Sequence, residues 1–290
     1  MLITEFLNAL EMVVPLTAVG YARDAIGLQV GLPNSTALTD ALFAYEVTDP
    51  VISEARNRKA NLIVAFHPLI FPSVDAITDR TRTGHLIREL IKNEIALYVQ
   101  HTAFDTHPEF GTSILMAEAL GLSNITTLTK ISSNVQLQTN AVLFGMGAMG
   151  TWSKEKAQSD VLKTVAETFR STFVRHNAVA LENIRTVAMV GGAGMDYYDA
   201  ARSLGADAFI TADVRYHDFH RADHDNILLI DAGHAETERF VTRGMVKAAQ
   251  KSLEFSKVLP KAVNLHDSDT KQLILLAESE PNAVQYYCHK

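Results

Sequence analysis

The sequence predicts an α/β protein of two similar domains, each a mixed, largely parallel sheet flanked by helices. Three observations carry this prediction. Short apolar runs alternate with stretches of helical periodicity, the grammar of βαβ units. The alternation restarts after about Leu128. Three of the strands also run into a histidine, in LIVAFHP at 62–68, IALYVQHTAFD at 95–105 and ILLIDAGHAETE at 227–238. A chain of 290 residues suits two medium domains. The expected division is 1–127 with about 256–290 for the first domain and 128–255 for the second, with a metal site between them.

At the N-terminus, Leu2, Phe6, Leu7 and Leu10 recur at helical spacing and predict a surface helix with one buried stripe. Glu5 and Glu11 interrupt it and no basic segment precedes it, which argues against a signal peptide. AIGLQVG at 25–31 and ALFAYEV at 41–47 read as strands separated by the turn-forming LPNST. VISEARNRKA then predicts a helix, LIVAF a buried strand, Gly84 to Asn93 a helix and IALYV a strand. Ser113 to Leu120 predicts a helix stopped by Gly121. The second half starts with a strand in QLQTNAVLFGMG and a long helix from Lys154 to Thr172. RTVAMV follows as a strand, GGAG as a turn, MDYYDAARSLG as a helix, ADAFIT as a strand, and NILLIDAG as the last strand before the helix bearing His234. The segment VNLHDSDTKQLILLAES is expected to return to the first domain.

Composition narrows the function classes. With 47% hydrophobic and 20% charged residues, the chain has ample apolar material for buried parallel strands. A formal charge of -7 argues against a general phosphate-backbone binder and makes a nucleic-acid partner an unfavoured reading. The single cysteine, Cys288, allows neither a disulfide framework nor a cysteine zinc site, which fits a cytoplasmic protein. No stretch approaches the roughly 18 uninterrupted apolar residues of a membrane span.

In open α/β sheets, ligands bind beyond the carboxyl ends of strands, where His67, His101 and His234 arrive. His101 is followed four residues later by Asp105, and His234 by Glu238, a spacing that puts both side chains on one helix face. Imidazole plus carboxylate suits divalent ions such as zinc, manganese, iron or magnesium. The alternative is a hydrogen-bonded polar network tying the domains together.

Other motifs are weaker. GGAG at 191–194 lacks both the full dinucleotide pattern and the P-loop lysine, so a structural turn is preferred over a phosphate cradle. YHDFHRADHD sets His217, His220 and His224 behind a strand trailed by Asp213, where histidines either bind metal or face solvent. His107 reads as a loop histidine before Pro108 or as a further donor.

Taken in order, DAIGLQVG at 24–31, HPLIF at 67–71, HTAFD at 101–105, TADVRYH at 211–217 and DAGHAETE at 231–238 resemble the motifs of the NIF-three-like family. Its members are also labelled dinuclear-metal-centre hexameric proteins or GTP cyclohydrolase I type 2 homologues. The terminus ESEPNAVQYY is similar to the family's closing segment. The resemblance implies that His67, Asp105, His234 and Glu238 ligate two divalent ions per chain, with His101 a further ligand or a hydrogen-bonding partner. It also implies a toroidal homohexamer. Many members carry His-His-Pro where this chain has Phe66-His67-Pro68, so the site holds either one ion or two, with His101, His107, His217 or water in the vacated place.

Two divalent ions roughly 3.5–4 Å apart, bridged by a carboxylate such as Glu238 or by water, make hydroxide available at neutral pH. Hydrolysis of a small nucleotide-like or phosphorylated substrate follows from that chemistry. Glu238 would then be catalytic, His101 or His217 would serve as general acid, and Arg215 would hold a phosphate. The rival is a non-enzymatic hexameric scaffold that binds metal or partner proteins, distinguished by coordination that is closed rather than open to water.

Overall fold

The computed structural model describes residues 1–18, 24–131, 144–255, 273–279 and 284. Contacts group the chain into two compact units, one from Met1–Phe104 and Thr242–Pro281, the other from Asp105–Ser132 and Val142–Val241. By contact, the chain passes from the first unit to the second at 104/105 and returns at 241/242.

In the first unit, helix α1 (Ile3–Val13) precedes strands β1 (Gly27–Val30) and β2 (Ala41–Ala44). Helix α2 (Asp49–Asn57), strand β3 (Leu62–Ala65), helix α3 (Arg82–Lys92), strand β4 (Ala96–Val99) and helix α4 (His101–Asp105) follow, and the unit boundary falls inside α4. β2, β3 and β4 pair in parallel, β1 joins β4 antiparallel, and the late strand β13 (Ile274–Leu276) joins β2 in parallel. The C-terminal apolar run thus returns to this sheet. β2, β3 and β4 are buried at every residue, as parallel strands covered on both faces must be. On one face Leu42, Ile63, Leu97 and Val99 pack against Val51 and Ile52 of α2 and Leu86 and Leu90 of α3. On the other, the Tyr98 hydroxyl donates to Glu11 of α1. Thr48 and Thr81 cap α2 and α3 by accepting from Val51 and Gly84.

The second unit opens with α5 (Thr112–Ala119), β5 (Ser123–Thr126), β6 (Thr129–Lys130), β7 (Gly145–Met146), β8 (Ala148–Lys156), α6 (Gln158–Phe169) and β9 (Arg175–His176). It continues with β10 (Ile184–Met189), a 3₁₀ turn leading into α7 (Tyr198–Ser203), β11 (Ala208–Thr211), α8 (Tyr216–Asp225), β12 (Leu228–Asp231) and α9 (His234–Thr237). Helix α10 (Val241–Phe255) then carries the chain into the first unit from Thr242. The sheet order is β5-β8-β10-β11-β12-β9, with only the β10-β11 and β11-β12 pairs parallel. Alternation sorts the central strands: Val187, Ala208, Ile210, Leu228 and Ile230 face α5 and α6, while Ala188, Phe209 and Leu229 face α7 and α8.

The start of α6 differs from the sequence reading, which also named no element at β5, β9 or α8. Lys154 to Lys156 close strand β8 instead of opening a helix, because Lys156 pairs with Ile184 and Thr151 with Thr186 of β10. The helix starts at Gln158. Most of the strand expected in QLQTNAVLFGMG, most of VNLHDSDTKQLILLAES before Leu273, all of ESEPNAVQYY beyond Ser279 except Val284, and Cys288 lie outside the described residues. Among the described residues, no helix is long and apolar enough to cross a membrane.

Candidate functional site

In the first unit the candidate donors stand where β3 and β4 end. His67 follows β3 by two residues and its ring lies 5.7 Å, centroid to centroid, from that of His101. Phe66 is wholly buried, its ring 5.5 Å from His101, 6.3 Å from Phe104 and 6.1 Å from Tyr45. The residue standing where many family members carry a histidine is therefore part of the core.

His101 opens α4 with a positive φ of 31°, a conformation costly for a residue with a Cβ. Asp24 over-determines it. Its buried carboxylate accepts from His101 Nδ1 at 2.7 Å, from the Thr102 hydroxyl at 2.6 Å and from the Thr102 amide at 3.1 Å. Burial pushes the Asp24 carboxyl up, but the bonds from His101 and Thr102 outweigh it and hold the group below its usual value. An ionised Asp24 fixes the proton on Nδ1, the tautomer whose Nε2 lone pair suits a metal.

In the second unit, β11 and β12 deliver Asp213 and His234. His234 Nδ1 bonds Asp213 Oδ2 at 2.6 Å, and Nε2 lies 3.2 Å from Oε2 of the buried Glu238. The spacing read from HAETE thus brings His234 and Glu238 together, although α9 is one turn long and Glu238 is its C-cap. Burial pushes the imidazolium down, but the carboxylates of Glu238 and Asp213 overcome it and hold His234 up at about 9. Without a cation the ring therefore carries the positive charge itself at neutral pH.

The turn after β10 forms the floor of this group. A Cβ on Gly192, whose φ is +61°, would stand 2.4 Å from Glu238 Oε1 and 3.0 Å from His234 Nε2. A Cβ on Gly191 would meet Thr112 Cγ2 at 2.5 Å and Glu238 Cγ at 3.5 Å. Thr112 in turn donates its hydroxyl to Asp105 Oδ1. Glu238 and His234 thus lie against Gly192, and Thr112 links Gly191 to Asp105. The amides of Gly191, Gly192 and Gly194 donate to the hydroxyls of Ser113, Thr237 and Thr211. They are used structurally, as the preferred reading of GGAG as a turn requires, and do not form a phosphate cradle.

The remaining candidates have the following surroundings. His107 is buried, and its Nδ1 accepts from the amides of Glu109 and Phe110 at 3.1 Å each, the role of a loop histidine. His217 is exposed on α8 with its ring against Tyr216 at 5.4 Å, and Arg215 is exposed at the helix N-cap.

Sequence reasoning assigned no individual role to Asp24, Thr112 or Asp231, and read Gly192 only as part of the GGAG turn. Asp231 is buried and accepts from the Gly233 amide at 3.1 Å, from the Val214 amide at 3.1 Å and from Arg175. It ties together the two loops that carry Asp213 and His234. Its signal in the sequence was an aspartate at the very end of an apolar strand.

In each unit taken by itself the donors are of the kind that could hold a divalent cation. Each of two imidazoles is oriented through Nδ1 by an aspartate, the arrangement that tunes metal-ligating histidines, and the glycine floor leaves space beside Glu238 and His234 that a side chain would fill.

Comparison with known proteins follows this chemistry. The family model described as Duf34/NIF3 (NGG1p interacting factor 3) matches residues 1–266. A "GTP cyclohydrolase 1 type 2 homolog" of Clostridium perfringens is 30% identical over 254 residues, covering 88% of this chain and 92% of its own length. A relative with the same description from Streptomyces coelicolor is 31% identical over 239 residues, covering 81% of each. A crystal structure of a Staphylococcus aureus hypothetical protein is 25% identical and superposes with a TM-score of 0.84 over 99% of both chains. A Bacillus cereus protein related to NIF3, 23% identical, shares the fold with a TM-score of 0.84 over 98% of both chains.

Proposed function

The chain belongs to the Duf34/NIF3 family, and from that premise we propose that it is a cytoplasmic metal-dependent hydrolase of small nucleotide-like or phosphorylated substrates. The observation that carries the reading is His234, held between Asp213 and Glu238 above the Gly192 floor. A buried carboxylate, an imidazole and a second carboxylate that orients the imidazole form a ready set of donors. His67, Asp105, His234 and Glu238 are the proposed ligands, with His101 as a further one, for two divalent ions per chain. When bound, such ions supply Lewis-acid polarisation and lower the pKa of water.

The chain's own residues supply the rest. Asp213 and Asp24 orient the His234 and His101 rings. His101, paired with Asp24, is the proposed proton carrier to a leaving group, with His217 the alternative, and Glu238, on the Nε2 side of His234, is the proposed catalytic carboxylate. Homohexamer formation belongs to the same reading, supported by the family motifs.

The test is metal content per chain, by elemental analysis of tag-free protein purified without chelator, for the wild type and Glu238→Ala. About two ions in the wild type and fewer in the variant are expected, with turnover of at least one phosphoester, cyclic amidine or nucleotide. A metal-replete protein that hydrolyses none of them overturns the enzymatic reading in favour of a metal-binding scaffold. Metal-free wild type overturns both.

A further inference from the structure

The outward face of α8 carries three imidazoles, of which His220 and His224 have no part in the proposed centre and His217 only that of an alternative proton carrier. His217, His220 and His224 are all exposed. At 100° per residue they fall within an arc of about 60°. Phe219 and Ala222, on the opposite side of the helix, pack into the core with Phe209 and Leu229. The histidines are therefore held on the solvent side by the burial of their neighbours.

The surroundings favour a cation. Tyr216, 71% exposed, sets its ring edge-on against His217 at 5.4 Å and His220 at 4.9 Å, which narrows the freedom of both imidazoles. Arg221, the positive charge next to them, is drawn off to Asp199 and Asp225.

We propose that His220 and His224 chelate a borderline transition-metal ion, copper(II), nickel(II) or zinc(II), on the surface of α8, with His217 one turn away as a third donor. The i, i+4 spacing sets the two side chains about 5–6 Å apart at Cβ. It is the spacing by which two histidines of one helix grip zinc in HExxH motifs. Among these ions copper(II) should bind most tightly, since two imidazoles with water follow the ordinary order of divalent affinities. The site stands independently of the centre proposed around His234.

The test is a titration of the full chain with copper(II) alone, read by calorimetry and by electron paramagnetic resonance. It compares wild type, Glu238→Ala, His220→Asn, His224→Asn and the double variant, each checked for unchanged circular dichroism. Glu238→Ala is expected to bind one ion with two or three nitrogen ligands, and wild type the same ion besides any taken up at the centre around His234. Binding of that ion should be weakened at least tenfold by either single substitution and abolished by the double one. Copper binding unchanged in the double variant overturns the proposal. So does a pair of single variants that each lose only an independent one-histidine site.

Discussion

Asp213 Oδ2 lies 2.6 Å from His234 Nδ1, and Asp213 reaches that position from a left-handed backbone conformation with φ +54°. The aspartate thereby fixes the ring that faces Glu238 on its other nitrogen. Asp213→Asn keeps the shape and removes the charge. Metal affinity should fall by roughly 10–100-fold, the usual effect of removing such a partner. Thermal stability should change little, since Asp213 is exposed. Isothermal titration with zinc(II) or manganese(II) decides it, and an unchanged dissociation constant would separate Asp213 from the site.

His234 also makes the metal-free chain pH-dependent. Its folded value, about 9, lies above its ordinary 6.5. The ring's contribution to stability is therefore complete below about pH 6.5 and is lost as the pH rises through 9. A cation competes with the same proton, so apparent metal affinity should climb over that interval. Proton-detected titration of the His234 ring in chelator-treated protein measures the value directly. A midpoint near 6.5 would mean that the two carboxylates do not hold the proton.

Gly192 separates backbone strain from collision. Gly192→Ala places a methyl at φ +61°, against Glu238 and His234. Gly205→Ala meets a similar φ of +78° with nothing within 4 Å. The control should lose roughly 1 kcal/mol in urea unfolding and leave metal content untouched. Gly192→Ala should lose roughly 1–3 kcal/mol and reduce metal content as the donors are displaced. Equal losses in the two variants, with metal retained in both, would show that the floor does not set the donors.

Asp231 should matter more to stability than its position outside the donor set suggests. Asp231→Ala strips the acceptor from the amides of Val214 and Gly233 and from Arg175, at a cost of roughly 2–3 kcal/mol. Arg175→Ala should cost under about 1 kcal/mol, because that side chain is largely exposed. Denaturant midpoints with unchanged slopes provide the comparison, and the reverse ranking would contradict the loop-tying role.

What the sequence made legible follows from range. LIVA, ALYV, AFIT and LLID are buried at every position, so composition alone marked them as central strands, and the donors sit just past their ends. His234 and Glu238 were readable because their pairing is four residues long. The partners were not. Asp24 reaches His101 across 77 residues and Asp213 reaches His234 across 21, separations that leave no periodic trace. Lys154 to Lys156 misled for the same reason, since lysine and glutamate favour helix while pairing with β10 decides strand. His67 was readable as the histidine just past the end of LIVA, and the resemblance to family motifs added its expected role as a ligand.

Phe66 poses the sharpest remaining question, because a histidine there would be taken for a restored ligand. Its ring is wholly buried among Tyr45, His101 and Phe104, so it is a packing residue in this chain. Phe66→His exchanges a large apolar ring for a smaller polar one in a dry setting, at a cost of roughly 2–4 kcal/mol. Lower thermal stability with no gain in metal content is the expected outcome. Phe66→Leu, apolar but without the aromatic contacts, should lose less, since no polar atom is buried. Elemental analysis beside thermal unfolding distinguishes the cases. An additional ion per chain in Phe66→His, at undiminished stability, would show that the position is a ligand site closed only by the side chain it carries.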